Sequence, residues 1–159
     1  MKDVTYYGNK ELLKLHKTAF LASRTIPPEM VLRCYDWAAA DHGRNKCIIG
    51  GFSSKLEKDV LHFLKRTEAP IILVLARKLY KEIPEELKDL LAQNRLLIVS
   101  SSNTVRQSQA SAFARNRYIC EMADEIIFVG ITEKSSLHRL KEQFREKCLD
   151  MLHRGQETM

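Results

Sequence analysis

Hydrophobic residues along this chain fall into short continuous runs, separated by longer stretches in which apolar residues recur with helical spacing. Continuous runs without alternation are typical of strands that are covered on both faces. Five such strands are predicted, at residues 18–23, 46–49, 70–75, 96–100 and 125–129. Five helices are predicted to follow them in turn, at residues 28–40, 54–67, 84–93, 106–123 and 135–152.

Strand and helix alternate five times, which predicts an α/β fold: a Rossmann-like open parallel sheet of about five strands with helices on both faces. With right-handed crossovers, we expect the first strand to be central and the strand order to be 3-2-1-4-5. Residues 1–10 read as a lead-in, and residues 155–159 should fray. No linker or repeat divides the chain, so residues 1–159 are expected to form one domain.

Composition and charge narrow the class of protein. The chain has 159 residues, of which 45% are hydrophobic and 29% charged, as in an ordinary folded domain. A net charge of +6 favours a polyanionic partner without requiring one. The longest apolar stretch, residues 71–76, is too short to span a bilayer, and the N-terminus lacks the apolar core of a signal peptide. Four cysteines without CxxC spacing indicate reduced thiols, a cytoplasmic protein and no metal site.

Candidate site residues follow the predicted strands. In a parallel sheet, ligands bind beyond the carboxyl ends of the strands, where these loops meet. Glycines allow close approach of the backbone to a phosphate, a helix N-terminus attracts anions, and arginine binds phosphate with two N–H groups. An anion site is therefore predicted from Ser23, Arg24, Gly50, Gly51, Ser53, Arg115, Asn116, Arg117, Lys134 and Ser135.

Roles within this site can be assigned in outline. Ser23 and the glycine amides are expected to donate to phosphate oxygens, while Arg24 and Arg117 neutralise charge. Asn116 has a second interpretation, in which its amide holds neighbouring backbone. Residues two apart on a helix point about 200° away from each other. Tyr118, Ile119 and Met122 should turn one side of this helix inward. Because Arg117 lies beside that side, it is expected to reach the pocket or a carboxylate partner, and Arg115 is expected to be more exposed.

Catalytic motifs are absent from the sequence. It contains no GxGxxG after the first strand and no P-loop, so a dinucleotide or nucleoside triphosphate cofactor is not expected. Glu57 is more simply a favourable charge in the first turn of a helix than a general base. If the protein were instead an enzyme, Glu57 or Glu121 would assist hydrolysis of a sugar–base bond. Phe52 and Phe113 are the aromatic residues near the loops that could stack on bases.

Several segments together resemble the DprA/Smf (DNA-processing protein A) family. Ser23-Arg24, after Ala22, is similar to the family's Gly-Ser-Arg turn, and Gly50-Gly51 is similar to its Ser-Gly-Gly turn without the serine. The most specific segment is Arg115-Asn116-Arg117, followed by the strand at 125–129. Lys134-Ser135-Ser136-Leu137 resembles a degraded Ser-Gly-Ser-Leu. The resemblance covers residues 6–140.

This resemblance implies a Rossmann-like module that binds single-stranded DNA or a phosphate-bearing nucleotide, without evident catalysis, and that forms a homodimer. Two alternatives remain open. One is a nucleoside monophosphate hydrolase of the related LOG type, although its Pro-Gly-Gly-x-Gly-Thr motif is missing. The other is a small-nucleotide sensor that acts through a partner protein.

Overall fold

The structure is a computed structural model that describes residues 3–149. Its strands are β1 (Thr5–Gly8), β2 (His16–Ala22), β3 (Lys46–Gly50), β4 (Ile71–Leu75), β5 (Leu96–Ser100) and β6 (Glu125–Val129). Its α-helices are α1 (Pro28–Ala39), α2 (Lys55–Lys65), α3 (Glu85–Ala92), α4 (Gln109–Met122) and α5 (His138–Gln143). Two 3₁₀ helices span Lys10–Lys14 and Arg145–Lys147. Between residues 3 and 149, no helix is long and apolar enough to cross a membrane.

The strands form one sheet in the order β1-β5-β4-β3-β2-β6. Strands β2 to β6 are parallel, which confirms the predicted α/β class and the parallel pairing of β3 with β4. The predicted strand order is wrong, because β5 lies beside β4 and β6 lies beside β2. The right-handed rule decides on which face of the sheet a crossover helix lies once the position of the next strand is given. It does not decide on which side of the previous strand the next strand is added. Three successive crossovers run the same way, and the fourth returns to the open edge of β2.

The sheet separates two apolar layers. One contains buried side chains of α1, α2 and α3, such as Cys34, Val60 and Leu90. The other contains side chains of α4 and α5, such as Ile119 and Leu140. Because both faces of the central strands are covered, their residues are apolar without alternation, as the sequence predicted. Burying one such aliphatic side chain contributes about 1.5–3 kcal/mol.

Strand β1 is an addition to the predicted fold, since residues 1–10 were read as a lead-in. It pairs antiparallel with β5 at the edge of the sheet. The Thr5 hydroxyl donates to the Ser100 carbonyl over 3.2 Å, and the Asn9 amide donates to the Leu96 carbonyl over 2.9 Å. Gly8 has φ +114°, and a Cβ there would lie 2.3 Å from the Leu96 carbonyl oxygen. Most of β1 is exposed, so it has no apolar run that would signal a strand.

The last helix is shorter than predicted. Helix α5 ends at Gln143, and after the second 3₁₀ helix the chain turns alongside β6, where the Leu149 amide donates to the Ile126 carbonyl over 2.8 Å. Leu137 and Leu140 are the residues of this region that are fully buried, and the charged residues after them stay at the surface. The remaining predicted helical residues, 150–152, and the fraying expected at 155–159 lie outside the described residues.

Candidate functional site

Glu57 organises the turn between β3 and α2. Its Oε1 accepts from the backbone amides of Ser53 and Ser54, at 3.0 and 3.2 Å, and its Oε2 accepts from the Ala22 amide at 2.9 Å. The Ser54 hydroxyl in turn accepts from the Glu57 amide, which completes a capping box at the start of α2. Glu57 is 5% exposed. Its carboxylate thus holds the ends of β2 and β3 together, in keeping with a first-turn charge rather than a general base.

This arrangement bears on the helix N-terminus and the glycine turn, which were both expected to attract a phosphate. The Ser53 and Ser54 amides at the N-terminus of α2 already donate to Glu57. Gly51 packs against a guanidinium, because a Cβ at Gly51 would lie 2.3 Å from Nη1 of Arg115. The protein's own Glu57 carboxylate and Arg115 guanidinium therefore contact the inner side of this turn, where a phosphate was expected.

Arg115 is 4% exposed and connects α4 to this turn. Its Nη2 donates to the Ser53 hydroxyl over 3.1 Å, its Nε to the Asn116 side-chain oxygen over 2.7 Å, and its Nη1 to the Val74 carbonyl over 3.5 Å. Burial lowers the pKa of this guanidinium, and the charge of Glu57 acts in the opposite direction. Arg115 is thus a buried cation that fixes the ends of β3 and β4 relative to α4. The Asn116 side-chain oxygen is thus held by the neighbouring Arg115 side chain.

The expected orientation of the two arginines is wrong. Arg115 was expected to be exposed and Arg117 to face the pocket, but Arg117 is the exposed residue. The inward face of α4 includes Arg115, Tyr118 and Ile119, which are buried and spaced three and four residues apart. Because Arg117 falls between these positions, its side chain points away from the sheet.

Ser23 joins the ends of β2 and β6. Its hydroxyl donates to the Gly130 carbonyl over 2.7 Å and lies 3.3 Å from the Thr25 carbonyl, while its amide donates to the Val129 carbonyl over 3.0 Å. The hydroxyl hydrogen is thus directed at backbone rather than at a ligand. The neighbouring Arg24 is exposed at the same edge of the sheet.

Phe52 is not a stacking platform, contrary to expectation. It is 5% exposed and packs in the core layer with α1 to α3. Its ring covers Gly50, where a Cβ would lie 3.2 Å from the ring carbon Cζ. Phe52 also has φ +47°, in the left-handed region that residues other than glycine rarely adopt. The turn after β3 is therefore tightly packed.

Phe113 lies in an open cleft between the start of α4 and the start of α5. The cleft has a volume of about 380 Å³, and its lining residues are Phe113, Glu133, Ser135, Ser136, His138 and Arg139. The Arg139 guanidinium stands 5.7 Å from the centre of the Phe113 ring, which is cation–π distance. Sequence reasoning missed His138 and Arg139. Their signal was available, because they open the helix that follows the last strand, at the carboxyl edge where ligands bind.

The predicted site residues divide into two groups. One group is a scaffold of buried and half-buried residues, which are Gly50, Gly51, Ser53, Arg115, Asn116 and, at the β2–β6 junction, Ser23. The exposed cations Arg24, Arg117 and Lys134 remain at the surface, with half-buried Ser135 in the cleft. Glu121 lies in the last turn of α4, at the far end of that helix from Gln109. Among residues 3–149, no three His, Cys, Asp or Glu side chains converge as metal ligands would.

Comparison with known proteins decides the family. The family model of DNA recombination-mediator protein A matches residues 3–141. This chain belongs to that family. The match confirms the resemblance to the DprA/Smf proteins that the glycine turns and the Arg115-Asn116-Arg117 segment indicated. Among curated proteins, none matches the sequence.

Two solved structures share the fold. DNA processing protein A (DprA) from Streptococcus pneumoniae superposes with a TM-score of 0.72 at 20% identity, over 91% of this chain and 52% of that one. DNA processing protein A from Helicobacter pylori gives 0.70 at 22% identity, over 93% of this chain and 73% of that one. The second structure is described as giving insight into that protein's unique single-stranded DNA binding mode. This chain thus spans about half of the first relative and about three quarters of the second.

Proposed function

We propose that this chain is a DNA-processing module that binds single-stranded DNA at the carboxyl edge of its sheet, without catalysis. The observation that carries the proposal is the cleft in which Arg139 stands over the ring of Phe113. Phe113 is half-buried and Arg139 is exposed. Aromatic and cationic side chains placed together in an open groove are the combination that binds single strands without regard to sequence. The description of the H. pylori relative supports this class of ligand.

The chemistry of the cleft suits a base flanked by phosphates. One face of the Phe113 ring is covered by the exposed Arg139 side chain, so a base can stack there once Arg139 swings out to a neighbouring phosphate. The Glu133 carboxylate can accept from the amino group of a base edge. Lys134, beside the cleft, and Arg24, on the loop after β2, are exposed cations that attract the phosphates on either side. The anion-binding amides of the α2 turn are held by Glu57, so binding depends on these side chains.

A non-catalytic role fits the two acids considered for hydrolysis. The Glu57 oxygens accept three backbone N–H groups, and Glu121 is at the other end of α4 from the cleft. Reduced cysteines suit the cytoplasm, and the four cysteines of this chain form no disulfide. The cytoplasm is accordingly the compartment we propose.

Fluorescence anisotropy with a labelled oligo-dT strand tests the proposal. Phe113→Ala should weaken binding by about 1–3 kcal/mol if one base stacks on the ring, that is, by about 5- to 150-fold. Phe113→Tyr should keep most of the affinity, because the aromatic face remains. Arg139→Ala should reduce the salt dependence of binding, with a slope lower by about 0.7 if the side chain contacts one phosphate.

The matched charge control is Lys88→Ala, on the exposed surface of α3 and away from the cleft. It should leave the affinity and the salt slope close to those of the unmodified protein. Equal effects of Arg139→Ala and Lys88→Ala would mean that only net charge matters, and the proposed cleft would be wrong. Saturable binding of a mononucleotide as tight as that of the oligonucleotide would favour the small-nucleotide sensor instead.

A further inference from the structure

A second basic cleft lies at the opposite end of the sheet, where β3, β4 and β5 begin. Its volume is about 550 Å³, and its polar lining includes Arg44, Lys65, Arg66, Glu68, Gln93 and Arg95. Four of these side chains are cations and one is a carboxylate. Strand β4 has five residues, so at about 3.3 Å per residue the two clefts are separated by roughly the full height of the sheet. The cleft therefore cannot be part of the Phe113 site.

Cations at this position could simply cap the C-terminus of α2, and Arg95 already does so. Its Nη1 donates to the Lys65 carbonyl and the Gln93 side-chain oxygen, at 3.2 and 2.7 Å. Its Nη2 donates to the Leu64 and Ala69 carbonyls, both at 3.1 Å, and its Nε also reaches Ala69. All five N–H groups of this guanidinium have acceptors. The negative end of the α2 dipole is thus already satisfied by Arg95.

The other three cations of the cleft, Lys65, Arg66 and Arg44, are not needed to cap α2. Lys65 is half-buried, and its ammonium has no side-chain partner among residues 3–149. Within residues 3–149, the Arg66 side chain contacts neighbours on its own helix alone, with an Nη2 to His62 Nε2 distance of 3.2 Å and the Phe63 ring at 6.0 Å. Arg44 pairs with Glu68, and both side chains are well exposed, at 73% and 61%. A surface pair of this kind is weak enough for a stronger anion to replace the carboxylate.

Gln93 adds a neutral donor to the same cleft. Its side-chain oxygen accepts from Arg95, so the amide is oriented and its NH₂ group is the end left for another partner. That NH₂ group has no acceptor within the described part of the chain. Cations and an oriented amide donor around one opening match the needs of a phosphate, which accepts several hydrogen bonds and carries negative charge.

We propose that this amino-edge cleft binds a phosphate-bearing anion. Lys65 and Arg66 supply charge, Gln93 supplies a donor, and Arg44 turns to the phosphate when Glu68 is displaced. Leu12 and Pro70 form an apolar wall of the cleft. A nucleotide and a nucleic-acid backbone present the same phosphate chemistry, so both are sources for this ligand. The proposal does not depend on DNA binding at the carboxyl edge.

The test is a titration followed by ¹⁵N NMR at constant ionic strength, with inorganic phosphate, a nucleoside monophosphate and an oligo-dT strand in separate arms. Saturable shifts are expected at the amides of Thr67, Glu68 and Asn94. The Lys65→Ala/Arg66→Ala variant should raise the dissociation constant measured at these amides by at least about tenfold. The matched control, Lys58→Ala/Lys81→Ala, removes the same charge from exposed positions outside both clefts and should leave these shifts unchanged.

Glu68→Gln is a variant that should bind phosphate more tightly, a result that misfolding could not produce. Removing the competing carboxylate should tighten phosphate binding several-fold, because Arg44 no longer has an ionic partner. Shifts in the monophosphate arms identify a small phosphate ligand, and shifts in the oligonucleotide arm alone identify a nucleic-acid backbone. Absence of saturable shifts in all three arms, equal losses in the two double variants, or weaker binding by Glu68→Gln would overturn the proposal. Because the readout is local to these amides, failure of DNA binding at Phe113 would not affect it.

Discussion

The free backbone groups at the two ends of helix α2 are hydrogen-bonded in different ways. At its start, the Glu57 carboxylate accepts three backbone N–H groups and is 5% exposed. At its end, the Arg95 guanidinium donates to three backbone carbonyls from the wall of an open cleft. Each charge has the sign that the helix dipole favours. Since both ends are satisfied from within, ligand binding at either edge of the sheet depends on side chains that the helix does not need.

Because the two ends differ in burial, removing Glu57 and removing Arg95 should lower the free energy of unfolding by different amounts. N–H groups that lose Glu57 stay in a closed turn, whereas carbonyls that lose Arg95 face a cleft that water can enter. An unsatisfied polar group is costly only where water cannot replace the lost partner. We therefore expect the start of α2 to be more sensitive to substitution than its end.

The largest effect should come from Glu57→Ala. It leaves the amides of Ala22, Ser53 and Ser54 without their charged acceptor, and the free energy of unfolding should fall by about 3 kcal/mol. Glu57→Gln should be intermediate, because the side-chain amide keeps one acceptor oxygen. Urea denaturation with an unchanged m-value measures both. A Glu57→Ala loss below 1 kcal/mol would show that the turn does not depend on this carboxylate.

A smaller loss, about 1–2 kcal/mol, is expected for Arg95→Ala, because water in the cleft can hydrate the released carbonyls. Arg95→Lys should recover less than half of it, since an ammonium has three donors and cannot reproduce the planar arrangement of five. The same urea experiment applies. A loss equal to that of Glu57→Ala would remove the proposed asymmetry between the ends.

Gly51→Ala examines the packing of the turn and should cost about 1 kcal/mol, because the new Cβ would meet the Arg115 guanidinium. In an Arg115→Ala background this cost should largely disappear, giving a coupling energy in a double-mutant cycle. Gly43→Ala is the matched control. Gly43 has φ +72° and no atom within 4 Å of a Cβ, so its cost comes from the backbone and should not depend on Arg115.

The smallest effect concerns Asp59 on the first half of α2. The Tyr35 hydroxyl donates to its Oδ2 over 2.6 Å and lowers the pKa of Asp59, with burial opposing and Lys55 assisting. A lowered folded-state pKa stabilises the protein above the unfolded-state value of about 3.9, and this stabilisation is lost as the pH falls through the folded-state pKa. Tyr35→Phe should therefore be slightly less stable than the unmodified protein at pH 7. The difference in urea midpoint should shrink by pH 3, and a constant difference would contradict this assignment.

The sequence predicted those features that depend on local pattern. Strands β5 and β6 have the predicted bounds, and the starts of α1 and α2 agree within one residue. The order of the strands depends on where each crossover lands, which apolar runs do not encode. Strand β1 escaped prediction because its residues are mostly exposed and its partner is far away in the chain.

The site was predicted as a set of loops but not in its internal contacts. The carboxyl-edge rule correctly brought Gly51, Ser53 and Arg115 together. It could not show that Glu57 would occupy the amides of the turn, because a first-turn acid can equally point to solvent. The orientation of α4 was mistaken for a related reason. Its moderately polar sequence gives a weak apolar face, and a buried arginine at position 115 contradicts the usual pattern.

The sheet also has a consequence for the time course of folding. Thr18 of β2 bonds to Glu125 of β6 across 107 residues, and Thr5 of β1 bonds to Ser100 of β5 across 95. During synthesis at about 5–20 residues per second, the outer edge of β2 waits about 5–20 s for its neighbour to be made. Contacts between such distant segments form slowly. A nascent chain of this protein therefore carries the unpaired edge of β2 for seconds, and during that time the edge is open to pairing with other chains.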